Sequence, residues 1–161
     1  MPVAVVVALV VQTAVLARVQ VAGVVPDAMA LLAVSAAVVG GPAAGAATGF
    51  AAGLGMDLFL PSTPLGLSAL VFSIVGYATG VVAEGYVRTT WWIPVVTVAA
   101  ASAGAEAAFA LTAAVVGTPG VLNAHLATVA GVVALTNGVL APAGLRLAAW
   151  GLRRPAGVAA R

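Results

Sequence analysis

The side chains with most chemical reach in this 161-residue chain are four acids, Asp27, Asp57, Glu84 and Glu106, with the single His125 and Asn137. No two acids fall at a spacing that would pair carboxylates for general acid–base work. No Ser/His/Asp arrangement and no glycine-rich phosphate loop is present, so no catalytic residue is assigned. The absence of cysteine excludes disulfides, iron–sulfur clusters and thiolate metal sites. One histidine among four scattered acids gives no metal set, so neither metal nor cofactor is expected. Six arginines and a net charge of +2 leave no basic stripe for nucleic acid.

The remaining polar residues have structural readings beside sharper ones. Asp27 follows Pro26 and opens a Leu- and Ala-rich run, where its side chain would accept from orphaned amide groups as an N-cap. From residue 28 to residue 39 a helix rises only about 18 Å, short of a ~30 Å hydrocarbon core. Either the segment before Pro26 is buried too, or Asp27 lies in a protein-lined recess. Asp57 is read as an interfacial carboxylate reaching water or capping the 61–64 turn, with a functional acid inside the membrane as the alternative. Glu106 falls mid-span, where a charge is least tolerated. Asn137 is its expected partner in an interhelical clamp, and a ligand or proton site in the bundle core is the alternative. His125 is placed at an interface, and Arg146 is expected to snorkel to the headgroups.

These residues need elements to hold them, and the composition says which. Apolar residues make up 63% of the chain and charged ones 6%, against roughly 25% charged in soluble domains. Such a chain cannot cover a water-facing surface; its solvent is lipid. Charges and Pro/Gly clusters divide it into six apolar spans, at about residues 3–17, 19–39, 43–60, 65–83, 91–116 and 122–150. The expectation is therefore an all-α polytopic membrane bundle forming a single transmembrane domain. The first run has no basic n-region and is followed by further spans, so it is read as an uncleaved helix. With both termini cytoplasmic, Arg88, Arg153, Arg154 and Arg161 fall inside and Arg18 alone outside, which is the basic-residue bias of membrane proteins. Trp91, Trp92 and Trp150 then lie near the cytoplasmic interface.

The third span carries Gly41, Gly45, Gly49 and Gly53 four residues apart, with Asp57 continuing the row. Residues at that spacing form one ridge of a helix. A ridge of glycines is a groove that lets a second helix approach closely, which drives association in lipid. The occupant is either another helix of this bundle or the transmembrane helix of a partner.

Several of these motifs together resemble the MreD family, the small membrane subunit of the bacterial rod-shape machinery. The resemblance is carried by Gln12-Thr13, by Pro26-Asp27, and by the block from Gly41-Pro42-Ala43-Ala44-Gly45 through Gly49-Phe50-Ala51-Ala52-Gly53-Leu54 to Asp57. Pro64-Leu65-Gly66, Tyr77 and Gly80 follow. It implies a non-enzymatic scaffold or regulator of lateral wall synthesis in the cytoplasmic membrane. The partners it implies are an MreC-like protein, a RodA-like glycosyltransferase and a class B penicillin-binding transpeptidase. It also implies a fold similar to the six-helix S components of energy-coupling-factor transporters. That kinship supplies the second reading, a small-molecule-binding transport subunit in which Glu106, Asn137, His125 and Asp57 line a pocket. Ala4 and Ala8 form a small-residue pair of the kind S components present to their transducing subunit.

Overall fold

A computed structural model describes residues 1–21, 23–59, 65–86, 92–117 and 125–153, with the side chains of residues 15, 17 and 86 left aside. Among these residues the fold is helical throughout. Helix α1 (Pro2–Val10) continues through a π-helical turn (Val11–Val15) into a short 3-10 turn (Leu16–Arg18). Then follow α2 (Ala28–Phe59), α3 (Leu67–Tyr86), α4 (Ile93–Val115) and α5 (His125–Leu152). The last four are each long and apolar enough to cross a membrane.

Two features refine the sequence reading. The span expected over residues 19–39 is helical from Ala28, the residue after the expected cap. Before it, Val21 and Val24 exchange both backbone hydrogen bonds (2.9 and 3.0 Å), and Gly23 takes φ 78°. The spans expected at 19–39 and 43–60 are also not separated by a loop: α2 runs through both and breaks at one residue. Gly41 takes φ 80° and ψ −175°, a region open in practice only to glycine, and Pro42 starts the next turn with its φ preset for helix.

The break reverses the chain. A Cβ at Gly55 would lie 3.7 Å from the Met29 side chain, whereas 26 residues of straight helix would separate them by about 39 Å. The first arm, residues 28–40, thus folds back along the second, residues 42–59. Every residue from 28 to 37 is buried, so the first arm is the central post of the bundle. Its shortness follows from that position. Irregular backbone at membrane depth is tolerated where protein surrounds it, and Val24, Pro26 and Asp27 above the post are buried.

The packing is that of a protein dissolved in lipid. Small residues face inward: Ala4, Ala36, Ala37, Ala141 and Ala148 are fully buried. Outside the post many large apolar residues face outward, Val139 at 74% and Leu135 at 68% exposure. Lipid tails are as apolar as leucine, so burying large side chains gains little there, and close backbone approach gains van der Waals contact. Met1 lies against α5, its nitrogen donating to the Gly151 carbonyl (2.8 Å). At that same end a Cβ on Gly40 would strike Leu152.

Candidate functional site

The glycine ridge lies on α3. A Cβ at Gly45 would run into the Gly76 carbonyl, one at Gly49 into the Phe72 carbonyl, and one at Gly53 into the backbone of Ser68 and Ala69. Each step of four up the second arm of α2 meets a step of four down α3, so the two helices are antiparallel with their i±4 ridges in register. Gly76 and Gly80 complete the contact from the α3 side, against Gly45 and Pro42. Gly41 does not share this role. It is the reversal residue, and a Cβ there would come within 3.2 Å of the Glu84 carboxylate.

Asp57 closes the far end of the same hairpin. It is 2% exposed, and its carboxylate accepts from the amides of Gly66 (2.8 Å), Ser68 (3.4 Å) and Ala69 (3.4 Å). It caps α3 from the preceding helix. The 61–64 turn, which the sequence reading gave it to cap, lies outside the described residues.

At the head of the central post, the first helical amides have acceptors. Met29 and Ala30 donate to Asp27 Oδ1 (2.8 and 2.9 Å), Leu31 to the Asp27 carbonyl (3.1 Å), and Ala28 to Gln12 Oε1 (2.7 Å). The π turn of the first helix delivers that glutamine. Ala4, Ala8 and Gln12 all point inward, and the polar residue ends the row where the helix meets Ala28. Asn137, fully buried on α5, donates from Nδ2 to both the Asp27 carbonyl and Ser102 Oγ (3.0 Å each). Helices α4 and α5 are thereby tied to the post.

The sequence reading pairs Asn137 with Glu106; in the structure its side-chain partner on α4 is Ser102, one turn earlier. Glu106 accepts no hydrogen bond among the described residues. It instead lines a cavity of about 520 Å³ together with Gln12, Thr13 and Asp27, against apolar walls from Val25, Met56, Phe59, Val129 and Val133. Thr13 and Phe59 are exposed and form its mouth. Asp57 and His125 do not line it; His125 begins α5 as an exposed residue. Of the four residues the transport reading gathers, the structure brings Glu106 alone into this cavity, with Asn137 behind it, and adds Asp27 and Gln12. Gln12 and Ser102 had a sequence signal: one is the polar end of an i, i+4 series of alanines, the other sits four residues before Glu106. Among the described residues no three His, Cys, Asp or Glu side chains converge as a metal set.

Searches of curated proteins and of solved structures give no significant match. A family model described as rod shape-determining protein MreD matches residues 1–134. The match takes in α1 to α4, both arms of the glycine-broken helix, Asp27, Asp57 and Glu106, and stops short of Asn137. The chain therefore belongs to the MreD family of membrane proteins, with a role in rod-shape determination.

Proposed function

We propose that this chain is a non-enzymatic scaffold of lateral wall synthesis. It holds an MreC-like protein beside a RodA-like glycosyltransferase and a class B penicillin-binding transpeptidase through contacts between helices. The observation that carries this reading is the family match over residues 1–134. The deployment of its polar groups supports it. Asp57 is committed to capping α3 and Asn137 to tying α4 and α5 to the post. With the glycine ridge filled by α3, contacts with partners fall to the outward faces of the bundle.

The same reading takes the chain across the membrane six times, in an S-component-like bundle. The first helix, each arm of α2, α3, α4 and α5 make one pass each, with both termini cytoplasmic. The fold-back at Gly41 supports two passes for α2, and Arg153 at the Met1 end supports the orientation.

The cavity beneath Thr13 and Phe59 favours a second reading, a small-molecule-binding transport subunit. The pair Ala4–Ala8 speaks against it, because both residues are buried within the bundle at 0% and 3% exposure and offer no face to a transducing subunit. Affinity purification of the full chain from mild detergent separates the two. An MreC-like protein with the wall synthase is the expected company; an ATPase-bearing transducer in its place would overturn the scaffold reading.

A further inference from the structure

We propose that the cavity between the first helix, the head of the post, the second arm of α2, α4 and α5 is a binding site for a primary ammonium group carried on a compact apolar body. The inference stands independently of the scaffold and transport readings, since either could employ such a site.

The argument starts from unused hydrogen-bonding capacity. Asp27 is 6% exposed. Its Oδ1 takes both amide bonds of the cap, and its Oδ2 takes none among the described residues while the side chain lines the cavity. Glu106 brings a second carboxyl group to the same space, with no protein partner of its own. Gln12 has committed only its Oε1, and Thr13 has turned its hydroxyl back to the Leu9 carbonyl (2.9 Å). Acceptors thus outnumber donors. No Lys, Arg or His is among the lining residues, so nothing in the cavity answers two carboxyl groups.

A half-buried carboxylate without a partner among the described residues, as Glu106 is, carries part of the cost of desolvating a charge, and a cationic donor offsets it while making charge-assisted hydrogen bonds. An ammonium presents three donors and no acceptor, which matches Asp27 Oδ2 and the two oxygens of Glu106. The walls decide the rest of the ligand. Met56, Phe59 and Val133 are apolar, and about 520 Å³ lies in the range of small-molecule sites, roughly 300–1,000 Å³. A bare metal ion would leave those walls unused.

The test uses the purified full chain in nanodiscs of neutral lipid, read by thermal unfolding. Cyclohexylammonium chloride should raise the midpoint saturably; cyclohexanol and equimolar sodium chloride should not. Glu106→Gln should weaken the response about tenfold, the value of one charge-assisted hydrogen bond. Asp27→Asn should do likewise while preserving the cap, since asparagine caps as well as aspartate. A second arm titrates Nα-acetyl-lysine methylamide. Tighter binding than cyclohexylammonium assigns the site to a lysine side chain of a partner, and weaker binding assigns it to a free amine. Equal shifts with cyclohexanol or sodium chloride would overturn the proposal. So would a cyclohexylammonium response unchanged in both variants.

Discussion

Three buried side chains in this protein, Gln12, Asp57 and Asn137, act on the backbone of another helix. Asn137 is the clearest case, because its one amide group serves a carbonyl above the post and a hydroxyl on α4. Asn137→Leu would leave Ser102 without that donor and the Asp27 carbonyl with the Leu31 amide alone. Buried groups left unsatisfied cost about 1–3 kcal/mol, although the interhelical hydrogen bonds themselves average nearer 0.6 kcal/mol in membranes. We expect a loss of stability of about 1–3 kcal/mol by unfolding in detergent; an unchanged midpoint would remove the tie from the account. Asp57 tests the same logic at a cap. Asp57→Ala should cost about 1 kcal/mol and Asp57→Asn clearly less, as judged by protease resistance of the hairpin and by unfolding. Equal losses would mean that the carboxylate does not cap α3.

At the scale of elements, glycine sets the geometry, in two different ways. Gly41 supplies a backbone conformation and Gly45, Gly49 and Gly53 supply absent volume. The first requirement predicts that Gly41→Ala costs about 1–3 kcal/mol, the usual strain of forcing a side chain into a sparsely populated region. Gly104 is helical with nothing within 4 Å of an added Cβ, so Gly104→Ala should be neutral or slightly stabilising. Equal effects of the two substitutions on the unfolding midpoint would contradict the reversal.

How far these elements could be read from the sequence depended on whether a signal was local. The spacing of four in the glycines and the Pro26-Asp27 pair are local, and they mark a helix ridge and a helix start. The span expected over residues 19–39 takes in the segment before Pro26 because Val19, Val21, Val24 and Val25 are apolar in either conformation. Hydropathy reports burial in lipid and not backbone hydrogen bonding, and only Gly23 hinted at a turn. The partner of Asn137 was misassigned for a related reason. Glu106 was the evident polar residue of α4 in the sequence, whereas the rotation and depth that bring Ser102 to Asn137 are tertiary facts. The cavity likewise joins five separate parts of the chain, and no spacing encodes it.

For the whole molecule, the two ends of the bundle differ in kind. One gathers Met1, Glu84 and Arg153; the other gathers the Asp57 cap, the Thr13–Phe59 mouth and His125. The chain's lack of cysteine makes the orientation directly measurable. Gln20→Cys, in the exposed segment before the post, should label from outside intact cells with a membrane-impermeant maleimide. Arg153→Cys should label only after the membrane is opened. The reverse pattern would invert the orientation, and equal labelling of both would contradict a membrane-spanning bundle.

The most direct test of the proposed scaffold role is cell shape after depletion, with complementation by the wild-type chain or by Gly49→Leu. A leucine at Gly49 must displace the Phe72 carbonyl region of α3, so the α2–α3 contact cannot form as it stands. Depleted cells should widen and lose their rod form, wild-type protein should restore it, and Gly49→Leu should fail. Rods of normal width on depletion, or full rescue by the leucine variant, would contradict the account.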